Sequence, residues 1–456
     1  MDKRLKRYSV SPSIVEADRE SVITIRALDG PILLFDDVTY DVECVPIDES
    51  DVPLDREMTL WGFNKSRKVQ RIKPINGELR VPYFFGGEQE WRIHVSTKEY
   101  GDHTNPLYLK NVKEHSAWQI YIDAPKKGFD VYVYSLKPDL YGARVKRGDL
   151  HVHTTASDGD ESPALTAANY RKGGFDFMSV TDHAVYHASE EAEKRLAFVD
   201  NFTILPGEEV HNNASGYFHM VSIGGRYSIS DIFSNEKERV EREVSQLAKE
   251  VTVPDGLDPH EYLSRLWMYR EIKKSGGYAI LPHVYWYIGY HHVQTKMTLA
   301  IIRNGLCDAF ELLGGNTPEK DNLQLALYND LRQEGISLPI VGSSDSHTVF
   351  NEKRSMFKSH STVVFTDDGD IIGAVEKGRS VAVEALPGET PHVYGSLRLT
   401  MYTRFLMNNY FPIHDELCAA SGLFIEEYVC GNESSKAMAL AVEERITAFE
   451  KSFFGR

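Results

Sequence analysis

GDLHVHTTASDG, residues 148–159, places two histidines one residue apart and an aspartate five residues after the second of them. The stretch follows a predicted strand, and side chains at positions i and i+2 of a strand point to the same side of a sheet. His151 and His153 therefore present two imidazoles to one point, and Asp158 offers a carboxylate close by. This arrangement of nitrogen and oxygen donors predicts a site for a divalent metal ion.

The chain after residue 147 alternates strand-like apolar stretches with segments that have clear helix ends. Three of these segments begin with a capping residue followed by proline and end at a glycine. The starts are Ser162 and Pro163, Asp258 and Pro259, and Thr317 and Pro318, and the stops are Gly173 or Gly174, Gly276 and Gly335. Strand–helix alternation over about 230 residues predicts a β/α barrel or an open parallel sheet.

The residues before this region read as strands. Apolar and polar residues alternate in SVITIRAL (residues 21–28) and AWQIYIDA (residues 117–124), and MTLWGFN (residues 58–64) is a further predicted strand. Short strands with this two-residue period predict an immunoglobulin-like β-sandwich. We therefore predict three domains, which are a β-sandwich accessory domain over residues 1–146, an α/β metal-binding barrel over 147–387 and a mainly helical C-terminal extension over 388–456.

The composition is that of a globular protein without secretory or membrane-spanning segments. Hydrophobic residues make up 42% and charged residues 26% of the chain, with no apolar run of bilayer length. The N-terminal residues lack the apolar stretch of a signal peptide, so the cytoplasm is the expected location. Cys44, Cys307, Cys418 and Cys430 form no CxxC pair and are expected to be buried thiols. Arg171 lies in a predicted helix and is expected to be solvated.

The formal net charge of −16 argues against binding to duplex nucleic acid, because a phosphate backbone requires clustered Lys and Arg. It does not exclude a small phosphorylated substrate, since bound divalent ions reverse the field locally. We expect no membrane partner, and the sequence leaves the formation of a homo-oligomer open.

Residue types that bind metals recur at the ends of the predicted strands. Nine of them lie at or near the carboxyl end of a strand: His151, His153, Asp158, His183, Glu209, His219, His283, Asp345 and His347. In a β/α barrel this rim is where catalytic groups gather. A single strand-end histidine is most often structural, and that interpretation applies above all to His219. Nine such residues at five strand ends favour a shared metal site.

The order of the motifs resembles the PHP (polymerase and histidinol phosphatase) superfamily. HxH followed by Asp, then TDH, GxE, a strand histidine, PH and DSH occur in this order over roughly residues 147–385. The resemblance implies a distorted (β/α)7 PHP barrel that binds two or three divalent ions, usually zinc, manganese or iron. The opening motif and the preceding β-domain are most similar to the carbaryl hydrolase-like branch, whereas the match to polymerase-linked PHP domains is poor.

The resemblance also implies how the ligands are shared among the ions. One ion would be held by His151, His153, Glu209 and Asp345, a second by Asp158, His183 and His347, and a third by Glu209, His219 and His283.

Three positions have alternatives. Glu208 and Glu209 are adjacent, so only one of them faces the ions, and the GxE spacing favours Glu209. His211 is an alternative to His219, but it falls in a predicted loop just beyond the strand, which favours His219. Glu311 ends a predicted strand and either orients a ligand histidine or is an ordinary structural acid.

The predicted function is that of a metal-dependent phosphoesterase. Three divalent ions against the carboxylates of Asp158, Glu209 and Asp345 would leave the centre about three charges positive, which suits a phosphate ester. A metal-bound hydroxide would attack a small phosphorylated metabolite or a short nucleotide. A carbamate or carboxylic ester hydrolase on the same ions is one alternative, and a catalytically silent metal-binding regulatory protein is another.

Residues near the expected mouth of the barrel each have two interpretations. His187, His291 and His292 are candidates for protonating the leaving group, and each is equally compatible with an ordinary surface loop. Tyr285, Trp286 and Tyr287 follow His283 and either stack on a substrate ring or pack against the β-domain.

Overall fold

The computed structural model describes residues 4–29, 34–48, 69–97, 128–212, 218–315, 317–351 and 355–456. The chain divides into two compact units, each described by itself. Unit 1 comprises Met1–Ala143, Arg404–His414 and Ile446–Arg456, and unit 2 comprises Arg144–Thr403 and Asp415–Arg445. The predicted strands at residues 58–64 and 117–124 lie outside the described residues, and the division into three domains stays a prediction.

The strands follow the chain in this order. Those of unit 1 are β1 (Tyr8–Ser11), β2 (Ile14–Glu16), β3 (Arg19–Ala27), β4 (Tyr40–Pro46), β5 (Val69–Ile72), β6 (Glu78–Phe85), β7 (Gln89–Ser96) and β8 (Phe129–Leu136). Those of unit 2 are β9 (Arg144–Asp149), β10 (Phe177–Ser179), β11 (Thr203–Leu205), β12 (Gly207–Asn212), β13 (Phe218–Ile223), β14 (Tyr278–Leu281), β15 (Ala309–Gly314), β16 (Ile340–Ser343), β17 (His360–Thr366), β18 (Ser380–Glu384) and β19 (His392–Tyr394).

The helices are concentrated after residue 160. Among the described residues, two short ones precede it, α1 (Arg4–Arg7) and α2 (Pro138–Tyr141). Those that follow are α3 (Pro163–Lys172), α4 (His187–Leu196), α5 (Ile229–Asn235), α6 (Lys237–Glu250), α7 (Pro259–Ser275), α8 (Thr295–Arg303), α9 (Pro318–Gln333), α10 (Ile371–Glu376), α11 (Leu397–Asn409), α12 (Phe411–Val429) and α13 (Ser435–Phe454).

Unit 1 contains a three-stranded sheet in the order β1-β3-β6 and a five-stranded sheet in the order β2-β8-β7-β4-β5. Buried and half-buried residues alternate along β7, so Trp91, Ile93 and Val95 face one side. They share one apolar core with Ile23 and Ile25 of β3. The alternation thus packs both sheets around a common core, while the immunoglobulin-like arrangement stays a prediction.

Unit 2 contains two sheets that form a curled half-barrel with helices, so the predicted mixed α/β fold is confirmed. The sheet orders are β11-β10-β9-β17-β18-β19 and β12-β13-β14-β15-β16. Neighbours are parallel within β9–β11 and within β14–β16, but β13 is antiparallel to both of its neighbours. Only residues 213–217 connect β12 to β13, which is too short for the crossover that a parallel pair needs.

The predicted helix ends lie close to those in the structure. Helices α3, α7 and α9 begin at the predicted prolines. Asp258 caps α7 by accepting a hydrogen bond from the Glu261 N–H at 2.8 Å, and Gly276 ends it with a left-handed φ of 85°. These ends are determined locally, which is why the sequence pattern locates them.

Two expectations about individual side chains are wrong. Arg171 is fully buried rather than solvated, because its guanidinium forms ion pairs with Asp176 at 3.2 Å and Glu443 at 2.7 Å. Cys430 is exposed, near the end of α12, whereas Cys44, Cys307 and Cys418 are buried as expected. In the part of the chain that the structure describes, no helix combines the length and apolar character needed to cross a bilayer.

Candidate metal centre

The carboxylate of Glu209 lies at the middle of a histidine cluster. Its two oxygens are within 3.4 Å of nitrogens from five different histidines, all in unit 2. Oε1 lies 2.7 Å from His219 Nδ1 and 3.0 Å from His283 Nε2, and Oε2 lies 2.8 Å from His183 Nδ1, 3.3 Å from His151 Nε2 and 3.4 Å from His153 Nε2. Every one of these donors comes from a segment that the sequence singled out.

Asp345 approaches the same histidines from another side. Its Oδ1 lies 3.0 Å from His153 Nε2 and 3.3 Å from His151 Nε2. Asp345 and His283 both have positive φ angles, 50° and 24°, which non-glycine residues adopt rarely. The fold therefore holds two of these side chains in sparsely populated backbone conformations in order to direct them at the cluster.

Asp158 and His347 complete the set. Asp158 Oδ2 lies 3.3 Å from His347 Nε2 and 3.8 Å from His183 Nε2, and Oδ1 lies 3.7 Å from His153 Nδ1. All nine predicted residues are thus brought together in one place. Donor atoms of four of them, His153, Asp158, His183 and His347, lie within 4.8 Å of one another.

The sheet ends explain this convergence. Val152 forms an isolated parallel bridge with Ser346, and His183 forms one with Glu209. These bridges join the ends of the two sheets, so side chains that follow different strands meet at one rim.

His219 reaches this rim by a different route from the expected one. It lies at the beginning of β13 rather than at the end of a parallel strand. Because β13 runs antiparallel to β12, its beginning lies beside the end of β12.

The structure distinguishes the two adjacent glutamates. Glu208 points away from the histidines and accepts hydrogen bonds from Ile229 N–H at 2.5 Å and Ser228 O–H at 2.9 Å, at the start of α5. Successive strand residues face opposite sides, so Glu209 faces the cluster.

His211 lies within β12 and not in a loop, directly opposite His219, with ring centroids 4.4 Å apart. Burial is the main cause that lowers the pKa of His211 to about 4, and the neighbouring His219 and His183 act in the same direction. His211 thus borders the cluster rather than replacing His219, which makes the contact with Glu209.

Two buried carboxylates orient the cluster. Glu311 accepts a hydrogen bond from His151 Nδ1 at 2.9 Å and from the His283 N–H at 3.1 Å, so it orients a predicted ligand. Asp182, which the sequence analysis missed, accepts hydrogen bonds from the Thr154 N–H, the Thr154 hydroxyl and the Ser157 hydroxyl at 2.6–2.7 Å. It holds the loop that carries Asp158. Its position directly before His183 was the feature of the sequence that could have identified it.

The charges of the cluster are strongly coupled. Burial alone would lower the pKa of His153, but the close carboxylates of Asp345 and Glu209 raise it to about 9. Burial likewise opposes ionisation of Asp345, yet the neighbouring His151 and other histidines hold its pKa well below the ordinary value. Protons on the imidazoles therefore balance the carboxylates here, as cations would.

The donor set fits divalent metal ions. Several fully buried donor atoms have no hydrogen-bond partner of acceptable geometry although they point at one another: His151 Nε2, His153 Nε2, His183 Nδ1, His219 Nδ1 and Glu209 Oε2. Buried polar atoms are normally satisfied, so this group of orphaned atoms points to a bound ligand. Imidazole nitrogens mixed with carboxylate oxygens suit zinc, manganese and iron.

The three candidate proton donors have different surroundings. His187 is exposed at the start of α4 and contacts none of the described cluster residues. His291 is also exposed, and its ring lies 4.9 Å from that of Tyr285. His292 is buried, with its ring 4.5 Å from His219 and 5.2 Å from His283. Only His292 therefore adjoins the cluster.

The aromatic segment after His283 borders the cluster. Trp286 is partly exposed, and its ring lies 5.8 Å from His283 and 6.1 Å from His219. Tyr287 is more exposed than Trp286, whereas Tyr285 is buried in the core of unit 2. An aromatic surface thus adjoins the candidate site.

Comparisons with known proteins were made for the whole chain. No family model matches it. A curated relative, the DNA polymerase/3'-5' exonuclease PolX of Bacillus subtilis, is 27% identical over 172 residues, which are 33% of this chain and 28% of that protein. The chain thus spans less than a third of the length of this relative. The relative is a polymerase, and a poor match to polymerase-linked PHP domains was expected from the sequence.

Solved structures give a more specific comparison. A two-domain protein from Bacteroides vulgatus that contains a predicted PHP-like metal-dependent phosphoesterase is 19% identical, with a TM-score of 0.37 over 54% of this chain and 66% of that one. The chain resembles PHP-like metal-dependent phosphoesterases. A Bifidobacterium adolescentis protein assigned as a metal-dependent phosphoesterase is 18% identical, with a TM-score of 0.35 over 50% of this chain and 95% of that one.

An amidohydrolase from Chromobacterium violaceum is 18% identical, with a TM-score of 0.30 over 46% of this chain and 89% of that one. None of these proteins is described as carbaryl hydrolase-like, and that branch stays a prediction.

Proposed function

We propose that this protein is a metal-dependent phosphoesterase that acts on a small phosphorylated metabolite or a short nucleotide. The observation that carries the proposal is the convergence of six histidines and three carboxylates, Glu209 among them, with buried donor atoms that lack hydrogen bonds. A structural role for this set would leave several buried polar groups unsatisfied, which is costly.

The proposed ion sites follow the contacts of the cluster. His151, His153 and Asp345 would hold one ion, with Glu209 shared. His153, Asp158, His183 and His347 lie together as donors for a second. Glu209, His219 and His283 would hold a third, and the buried His292 is placed to join His219 and His283 there. We therefore propose His292 as a further ligand, while a proton-donor role for His187 and His291, which do not adjoin the cluster, stays a prediction.

The charge of the site favours an anionic substrate. Three carboxylates lie in the cluster and Glu311 touches it from behind, so three divalent ions would leave about two positive charges. Bound divalent ions lower the pKa of water from 15.7 to about 7 and neutralise charge on phosphoryl oxygens. Glu311 and Asp182 would keep the ligands directed at the ions throughout the reaction. The exonuclease name of the curated relative is compatible with a phosphate ester.

The test is a substrate panel with metal analysis. Full-length protein supplied with Mn²⁺ or Zn²⁺ should hydrolyse p-nitrophenyl phosphate or bis-p-nitrophenyl phosphate. His151→Ala and Asp345→Ala should each abolish turnover and reduce the metal content measured by elemental analysis. His260→Ala, a change of an exposed histidine outside the cluster, is the matched control and should do neither. Full activity in either cluster variant would remove that residue from the site.

A second candidate function is hydrolysis of carbamates or carboxylic esters on the same ions. The exposed side chain of Trp286 next to the cluster, with the exposed Tyr287 and Tyr290 following it in the chain, favours a neutral, ring-containing substrate. Aryl carbamates and aryl acetates belong in the same panel. Turnover of these compounds without turnover of either phosphate ester would replace the phosphoesterase proposal with this one.

The finer architectural predictions also belong to this proposal. We propose that unit 2 is the distorted (β/α)7 barrel typical of PHP proteins, that the two sheets of unit 1 form an immunoglobulin-like sandwich, and that the protein works in the cytoplasm. The number of ions, two or three, and their identity are decided by the elemental analysis described above.

A further inference from the structure

A second group of ligand-type side chains, all of them buried except His392, lies in unit 2, separate from the nine residues of the candidate metal centre. His360 begins β17, Glu384 ends β18 and His392 begins β19, and strand pairing places them opposite one another in one row. Cross-strand partners share a face of the sheet and have Cβ atoms about 4.5–5.5 Å apart. Asp321, in the first turn of α9, approaches this row with its Oδ2 3.3 Å from His360 Nε2.

The facing atoms of Asp321 and His360 are unsatisfied. The two residues are only 3% and 1% exposed, and neither Asp321 Oδ2 nor His360 Nε2 has a hydrogen-bond partner of acceptable geometry. The other oxygen, Asp321 Oδ1, accepts hydrogen bonds from the Gly314 N–H and from Gln324, each at 3.3 Å. The orphaned pair therefore points into the interior and not at solvent, which calls for a bound group between the two atoms.

The hydrogen bonds of His360 determine which nitrogen carries the lone pair. The Ser359 hydroxyl donates to the Met356 carbonyl, so its oxygen accepts from His360 Nδ1–H at 2.9 Å. In the neutral imidazole, Nε2 is then the acceptor nitrogen. It faces Asp321 Oδ2 and, at 4.0 Å, Glu384 Oε1. Three electron-rich atoms that face one another repel unless a cation lies among them.

The charge around the row is negative and lacks a basic partner. Among the residues that the structure describes, no Lys or Arg forms an ion pair with Asp321 or Glu384. His392 Nδ1 lies 3.0 Å from Glu384 Oε2 and holds that carboxylate in place. Tyr394 is affected by the same field, since burial and then the charges of Glu384 and Asp321 raise its pKa. The two carboxylates bring two negative charges to the row, which the charge of one divalent ion would balance.

We propose that Asp321 Oδ2, His360 Nε2 and Glu384 Oε1 bind a divalent cation of the zinc class, at a site distinct from the Glu209 cluster. Ligands about 2.0–2.1 Å from a tetrahedral zinc ion lie about 3.3 Å apart, which matches the Asp321–His360 separation. Glu384 Oε1, 4.0 Å from His360 Nε2, needs to move by less than about 1 Å to reach the same separation from that nitrogen. The three ligands tie together β17, β18 and α9 and leave a fourth position for solvent.

The experiment counts zinc on the full-length protein. Wild type, His360→Gln and Asp321→Asn are saturated with Zn²⁺, desalted and measured by elemental analysis. His360→Gln is the principal variant, because Asp321 also binds the backbone of Gly314 next to the metal centre. Glu319→Gln is the matched control, since Glu319 is an exposed acid in the same helical turn. Both site variants should contain one zinc ion fewer per chain, and the control should match wild type.

Anomalous scattering from wild-type crystals at the zinc edge locates the ion independently of any variant. A peak between Asp321 and His360 establishes the site, whether or not the Glu209 cluster is occupied. No peak there together with unchanged zinc counts in the variants would overturn the proposal and leave a buried imidazolium–carboxylate pair. Because peaks at the two places are separate, failure of this site is distinguishable from failure of the phosphoesterase proposal.

Discussion

Replacing Glu311 by glutamine tests how the metal centre is organised. Glu311 is completely buried, and its two oxygens accept from two different donors, His151 Nδ1–H at 2.9 Å and His283 N–H at 3.1 Å. Glutamine has nearly the same shape but only one oxygen. If that oxygen still accepts the hydrogen bond from the His283 N–H, the amide NH2 group faces His151 Nδ1. The histidine then has to accept at Nδ1 and carry its proton on Nε2.

That change of tautomer acts directly on the site. His151 Nε2 is the atom that lies 3.3 Å from both Glu209 and Asp345, and a protonated nitrogen cannot bind an ion. Loss of an outer carboxylate of this type weakens metal affinity about 10–100-fold, or about 1.4–2.7 kcal/mol. We therefore expect Glu311→Gln to raise the Kd for Zn²⁺ by one to two orders of magnitude while the protein stays folded.

The assay is a competition titration against a chromophoric zinc chelator, with circular dichroism as the check on folding. Glu208→Gln is the matched control, because Glu208 is an equally buried acid whose hydrogen bonds go to Ser228 and Ile229 and not to the cluster. A Kd within a factor of two of wild type in folded Glu311→Gln would refute the argument that Glu311 selects the tautomer of His151.

Three further predictions follow from other contacts. A Cβ at Gly314 would overlap the Glu311 carboxylate, so Gly314→Ala should weaken zinc binding in the same titration without changing any charge. Glu443→Gln leaves the Arg171 guanidinium buried and should lower the free energy of unfolding by about 3 kcal/mol, measured with urea at pH 7; a change under 1 kcal/mol contradicts this. Burial opposes ionisation of Glu443, but the charge of Arg171 holds the pKa of Glu443 below the ordinary value. The ion pair therefore stabilises the folded state fully above about pH 4.3, and this stabilisation is lost as the pH falls through the pKa of Glu443 in the folded state. The Tm gap between wild type and Glu443→Gln should accordingly narrow in acid. Removal of the ions with a chelator should lower the free energy of unfolding by about 4 kcal/mol for each site at which the free metal concentration was 1,000 times the Kd. Re-added Zn²⁺ should restore the Tm.

Much of the candidate site could be predicted because its donors sit in locally determined positions. The i, i+2 spacing of His151 and His153 sets their common direction, and the rim location of Glu209 and His283 follows from the ends of short apolar strands. Helix boundaries such as that at Asp258 are likewise local, since the capping side chain and the helix start are three residues apart.

Other features could not be predicted from local pattern. Arg171 in a helix looks solvated, yet an acid 272 residues away pairs with it inside the unit. His219 was expected at the end of a parallel strand. Only the pairing of β13 with β12 shows that the beginning of β13, where His219 lies, is at the rim. His292 looked like a loop histidine, but the fold buries it against His219 and His283. Each of these outcomes depends on a partner that is distant in sequence.

The order of residues alone predicted which side chains gather in the candidate site, because strand alternation and chain breaks act over only a few residues. Tertiary structure decided which of them lie close enough to share a ligand and which carboxylates stand behind them. Glu311 meets His151 across 160 residues, and Asp321 meets His360 across two elements of unit 2. Such pairings depend on how sheets curl and helices pack, and that geometry is a property of the whole folded unit rather than of any short stretch.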